Sequence, residues 1–232
     1  MIFGSSMVVV GLNGGVASGK SFVSSCFEEL GAHRIDADQV AHEVLQNADV
    51  IDRIVDHFGD DVIQGDGQID RKRLGKIVFG GTGDAELDHL ESIVHPEIRI
   101  RIRSQMELLR KSADVELLVL DIPLLFEGEY DQHCDYVIFV DANLNVRQQR
   151  AKLRGWSDDE LEKRESRQLS VEEKKLRSDV VINNSGSKES TARQLAEFCQ
   201  KLGLEVPASY RALYRISSND TLSNTDPPNG CR

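Results

Sequence analysis

The octet Gly14-Gly15-Val16-Ala17-Ser18-Gly19-Lys20-Ser21 satisfies the pattern G-x-x-x-x-G-K-[ST]. Glycines at this spacing let the main chain wrap so that successive N–H groups face phosphate oxygens. A helix opening at the end of such a loop adds the positive end of its dipole. Lys20 then reaches the β- and γ-phosphates of a nucleotide, and the Ser21 hydroxyl is a ligand for Mg2+. Gly14, Gly15, Ala17, Ser18, Gly19 and Phe22 complete the stretch whose backbone is expected to hold the phosphates. A second group of chemistry-bearing residues is Asp36-Ala37-Asp38. These acids fit the acceptor side of a phosphoryl transfer, or the cap of a helix from Gln39, and spacing leaves both open. A third group is basic: residues 147–177 carry ten basic side chains, Arg150, Arg154 and Arg164 among them, against seven acidic ones. That stretch is either a cationic cover or a solvated helical face laced with i,i+4 pairs.

The elements around these residues follow from periodicity. A β-branched strand at residues 7–10 leads into the glycine-rich turn 11–19, and helical spacing over 18–30 ends at Gly31. A short strand at 33–35 delivers Asp36 and Asp38 at its carboxyl end, where open α/β sheets bind ligands. This strand–loop–helix–strand unit starts an α/β fold with a parallel sheet. From residue 39 to 111 the pattern turns helical, with segments at 40–45, 50–58, 71–79, 87–94 and 98–109, so this stretch reads as an insertion. Strands resume at 116–120, 136–140 and 180–182, and an amphipathic helix follows at 191–202. Residues 217–232 are polar and offer almost no core candidate, so a disordered tail is expected.

Charge and composition narrow the function. The 232 residues carry 28 Lys+Arg against 39 Asp+Glu, a net charge of −11, which argues against a protein that coats nucleic acid or an anionic membrane. No apolar run approaches the ~18 residues needed to span a bilayer. The longest, at 115–126, is interrupted by Glu116 and Asp121. The first seven residues lack the basic segment and apolar stretch of a secretory signal. Four scattered cysteines (Cys26, Cys134, Cys199, Cys231) show no metal spacing and read as reduced thiols, which makes the cytoplasm the expected compartment. No N-K-x-D segment occurs, so a guanine-reading GTPase is excluded.

In sequence order, several blocks resemble the dephospho-CoA kinase family. They are the phosphate loop, Ile35-Asp36-Ala37-Asp38, Asp66-Gly67-Gln68-Ile69-Asp70-Arg71, His95-Pro96-Glu97-Ile98-Arg99, Ile122-Pro123-Leu124-Leu125-Phe126-Glu127 and Ser178-Asp179-Val180-Val181-Ile182-Asn183-Asn184. They run over roughly residues 7–203. The resemblance implies a three-layer P-loop NTPase fold with a five-stranded parallel sheet, a helical CoA domain and a helical lid. It divides the chain into a core at 7–38, 113–144 and 178–206, a CoA domain at 39–112, a lid at 145–177 and a C-terminal extension at 207–232. The implied reaction is phosphorylation of the ribose 3′-hydroxyl of dephospho-CoA by ATP, with Mg2+ and with no nucleic-acid, membrane or obligatory protein partner.

The same resemblance implies roles. Asp38 matches the catalytic aspartate, Lys20 neutralises the transferring phosphoryl, and Arg154 and Arg164 match lid positions. Asp36, His95 and Arg99 fall on the acceptor side, Arg150 is a further substrate-binding candidate from the lid, and Asp121 joins Ser21 as a residue near Mg2+. Phe22, His42 and Gly155 depart from the family pattern, replacing Thr, Arg and Asp. Two other readings stay open: a P-loop kinase of another small alcohol or nucleoside, and a silent nucleotide-binding regulator.

Overall fold

The computed structural model describes residues 7–80 and 85–217. Five strands form one sheet: β1 (Val8–Gly14), β2 (His33–Asp36), β3 (Leu117–Asp121), β4 (Tyr136–Asp141) and β5 (Val180–Asn183), in the order β2-β3-β1-β4-β5. The registers Val10↔Val119, Val10↔Tyr136 and Ile138↔Val180 are all parallel. The central strands are apolar on both faces, as a covered parallel sheet requires, and Val9, Val10, Leu12, Leu118, Leu120, Ile138 and Val140 are all buried. On one face, Val10, Leu12, Leu117, Val119, Ile138 and Val140 join α1 (Lys20–Glu29) and α9 (Lys188–Lys201) in a single core. Strand order reverses about β1, so its carboxyl end sits at the topological switch point.

The chain divides into two compact units, one from Met1–Ile35 with Ser112–Arg232, the other Asp36–Lys111. The second unit is helical: α2 (Ala37–Val44), α3 (Ala48–Phe58), α4 (Arg71–Gly80) and α5 (Ala85–Arg110), with a short 3-10 turn at Asp60–Val62. Residues 87–94 and 98–109, expected as separate segments, form one 26-residue helix with Pro96 inside it. Proline has no N–H to donate and disfavours a helix interior, which is why the pattern read as a break.

In the first unit, residues 145–177 fold as α6 (Leu144–Leu153), α7 (Asp158–Glu165) and α8 (Val171–Leu176). Two expectations change. Residues 11–14, assigned to the glycine turn, continue β1 to Gly14, so the loop is only Gly15–Gly19. The folded chain also passes the expected boundary at 206: α10 (Ala208–Leu213) follows, and Tyr210, Tyr214 and Ile216 are buried in the sheet's core. The expected tail from 218 onward, Cys231 included, lies outside the described residues.

Candidate active site

At the end of β1 the chain turns through Gly15–Gly19 into α1, whose N-cap is Gly19 at φ 91° and ψ 27° with no side-chain acceptor. No side chain therefore caps the first turn of that helix, and the positive end of its dipole faces the loop. The loop contains a second left-handed residue, Ala17 at φ 61°, where a Cβ costs about 1 kcal/mol. Close packing on all sides maintains this shape. A Cβ on Gly14 would stand 2.7 Å from Ser18 Oγ and 2.8 Å from the Val140 carbonyl, and one on Gly19 would run into the Asn184 amide. Gly14 is thus required for space rather than for a positive φ. The Phe22 N–H already donates to the Gly19 carbonyl at 3.0 Å, and its ring packs edge-on against Tyr214.

Lys20 opens α1 and its Nζ lies 3.0 Å from Oδ1 of Asp121, the last residue of β3. The other oxygen, Oδ2, accepts from Arg34 Nη2 at 2.8 Å. Burial alone would raise the Asp121 carboxyl, but Lys20 and Arg34 outweigh it and hold the group below the usual carboxylate range. Ser21 is exposed in the first turn of α1.

The basic stretch splits into different jobs. Arg150, half-buried on α6, donates from Nη1 to the Ser18 carbonyl at 2.6 Å and from Nη2 to the Asn184 carbonyl at 2.8 Å. Asn184 Nδ2 donates to the same Ser18 oxygen at 2.8 Å, while Thr191 Oγ1 donates to Asn184 Oδ1 at 3.0 Å. Buried Arg147 donates from Nε to the Ala142 carbonyl at 3.2 Å and pairs with Glu165. Arg154 and Arg164 are exposed, and their guanidiniums lie over the Trp156 ring at 5.4 and 4.2 Å from its centroid. Trp156 and Val16 pack against a small cluster of Ala17, Ala151 and Leu161, which joins the phosphate loop, α6 and α7 in one apolar patch. Lys174, fully buried, donates to Gln168 Oε1 at 2.7 Å; burial lowers its pKa, against the opposing charge of Glu127 and with a smaller push from Lys20.

In the second unit, Asp36 caps α2: its Oδ1 accepts from the N–H groups of Asp38 at 2.9 Å and Gln39 at 3.3 Å. Asp38 is left exposed in the first turn. Of the two roles weighed for this pair, capping therefore falls on Asp36. α2 packs on α5, and Arg101 Nη1 on α5 lies 3.4 Å from Glu43 Oε2 on α2. His95 and Arg99 lie one turn apart on one face of α5.

Sequence reasoning passed over Arg34, Lys174, Asn184 and Thr191 as site residues. Arg34 is a cation within a four-residue strand, and Asn184 directly follows β5; both are sequence signals, but neither belongs to the phosphate-loop pattern.

Similarity to known proteins is extensive. The family model described as CoaE, dephospho-CoA kinase, matches residues 8–190. The chain is 42% identical over 196 residues to the dephospho-CoA kinase of Carboxydothermus hydrogenoformans, covering 83% of this chain and 93% of that one. It is 40% identical over 191 residues to that of Geobacillus kaustophilus, covering 81% and 93%. Among solved structures, the dephospho-CoA kinase from Campylobacter jejuni aligns with a TM-score of 0.64 at 29% identity, covering 84% of this chain and 96% of that one. TT1252 from Thermus thermophilus aligns with a TM-score of 0.68 at 31% identity, covering 84% and 98%.

Proposed function

The chain belongs to the dephospho-CoA kinase family, and on that premise we propose that it phosphorylates dephospho-CoA with ATP at the ribose 3′-hydroxyl, giving coenzyme A and ADP. The observation that carries this reading is the uncapped N-terminus of α1 behind a loop with two left-handed residues, with Lys20 in its first turn. This arrangement suits a nucleotide's phosphates.

Asp38 orients the acceptor hydroxyl and takes its proton, and Asp36 fixes the first turn of α2 that carries it. Lys20 neutralises the transferring phosphoryl, and Arg154 and Arg164 close over it and exclude water. Arg150 shapes the loop and lies beside the nucleotide, while His95 and Arg99 serve the anionic acceptor from α5.

Among the described residues no cluster of three or more His, Cys, Asp or Glu side chains is placed to hold a metal by itself. The donors at hand, the Ser21 hydroxyl and the Asp121 carboxylate, fit a hard cation shared with nucleotide oxygens, so Ser21 and Asp121 would hold Mg2+ jointly with ATP. Bound there, Mg2+ supplies charge neutralisation for the transferred group. No helix among the described residues is long and apolar enough to cross a membrane. The free thiols Cys26, Cys134 and Cys199 support the cytoplasm as the working compartment.

The test is ADP release by the purified chain with ATP and, in turn, dephospho-CoA, adenosine, AMP and gluconate. Release that depends on dephospho-CoA is the expected result. Release with another acceptor assigns a different small-molecule kinase, and release with none assigns a regulator.

A further inference from the structure

Asp121 is shared between two cations that approach it from opposite neighbours in the fold. Lys20, at 3.0 Å from Oδ1, comes from the helix that follows β1, and Arg34, at 2.8 Å from Oδ2, comes from β2. β3, which ends in Asp121, lies between those two strands in the sheet. The Asp121 side chain is only 8% exposed, and those of Lys20 and Arg34 are 20% and 22% exposed. Arg34 is held from a second direction by Glu28, 3.7 Å away on the same helix as Lys20.

This arrangement matters when a nucleotide arrives. Turning to the phosphates draws Lys20 away from its contact with Asp121. A nearly buried carboxylate deserted by its only cation is strongly unfavourable, so a lone Lys20–Asp121 pair would compete with the nucleotide for the lysine. Arg34 occupies the other oxygen and needs no movement to stay there.

We propose that Arg34 is a positioning residue for nucleotide binding: it holds the charge of Asp121 so that Lys20 is released to the phosphates. The inference rests on Lys20 being the phosphate-binding lysine. It adds a residue outside the phosphate-loop pattern, acting through Asp121 without touching the nucleotide.

The experiment measures ADP affinity in EDTA, by displacement of a fluorescent ADP, so that any part played by Asp121 at Mg2+ does not enter. The full-length chain is compared with Arg34→Met, Arg34→Lys, Asp121→Asn, the double variant Arg34→Met/Asp121→Asn, and Lys20→Met. Arg34→Met should weaken ADP binding about tenfold, since the pair it compensates is nearly buried. Arg34→Lys, which keeps the charge, should bind within about twofold of the parent on the same ground. Removing the carboxylate should abolish the need for the arginine, so the double variant should bind as tightly as Asp121→Asn alone. A merely structural arginine would not be rescued in this way.

If Arg34→Met binds ADP like the parent, or if the double variant loses as much relative to Asp121→Asn as Arg34→Met loses relative to the parent, the proposal is overturned. The second outcome would mean that Arg34 contacts phosphate directly. If Arg34→Met does not fold, the same comparison is made with Arg34→Gln. Unchanged binding by Lys20→Met would instead remove the premise about the lysine.

Discussion

Arg150 donates to the Ser18 carbonyl at 2.6 Å, so a side chain from α6 sets the shape of a loop more than a hundred residues away in sequence. Asn184 donates to the same oxygen from beyond β5. Between Ser18 and α1 stands Gly19 at φ 91°, and these two donors fix the carbonyl that precedes it. The expected effect of Arg150→Met is a rise in KM for ATP of about tenfold, the usual scale for losing a charged hydrogen bond. Asn184→Ala should act in the same direction, and the two should combine less than additively because they share one acceptor. Steady-state kinetics on the single and double variants checks both points. Full additivity would separate the two donors.

Asp38 is exposed in the first turn of α2 while Asp36 spends its Oδ1 on capping. Asp38→Asn keeps the size and the helix but cannot accept a proton. It should lower kcat by about a hundredfold or more, the scale of general-base catalysis. KM for ATP and for dephospho-CoA should stay within about threefold, because Asn preserves the polar contacts that position the hydroxyl. A near-normal kcat would remove Asp38 from the chemistry.

Cys134 lies among Asp131, Asp135 and Asp179, and burial first and these charges second push its thiol up to about 12. The thiolate is the reactive form, so its fraction in the folded chain is negligible until the pH approaches that value. Alkylation of Cys134 in the native protein should therefore rise roughly tenfold per pH unit from about pH 8 to about pH 11, with no plateau near the ordinary thiol value of about 8.5. Mass spectrometry of iodoacetamide-treated native and urea-unfolded protein gives the comparison. A plateau near the ordinary value in the native sample would contradict this half-buried placement among carboxylates.

Tyr210 on α10 is 1% exposed, and its hydroxyl donates to the Ala192 carbonyl on α9 at 3.0 Å. Tyr210→Ala should cost about 3–5 kcal/mol, the range for losing a large buried aromatic side chain. In a domain of this size that corresponds to a fall of about 10 °C in Tm. Thermal melting measures it, and a loss near zero would mean that α10 is dispensable to the core.

The fold was legible wherever a local pattern and its tertiary fate coincide. Strand 137–140, Ile182 of the last strand and the helix around Cys26 and Phe27 carry an apolar pattern that the sheet then buries. The pattern misled at Pro96, where α5 tolerates a missing hydrogen bond, and at residues 208–216, where three large side chains occupy gaps in the core without a long periodic run. In the site, the loop and Lys20 were readable because phosphate binding uses consecutive backbone groups. Arg34, Asn184 and Lys174 were not, because each contacts a partner that only folding brings near: Asp121, the Ser18 carbonyl, and Gln168 with Glu127.

Phosphorus NMR of the complete reaction tests the assigned chemistry most directly. The purified chain is mixed with ATP, magnesium and dephospho-CoA, and the product is followed over time. The predicted result is one new phosphomonoester resonance, coupled to the ribose 3′-proton and growing in step with ADP. ADP accumulating with inorganic phosphate and no new phosphoester would contradict it.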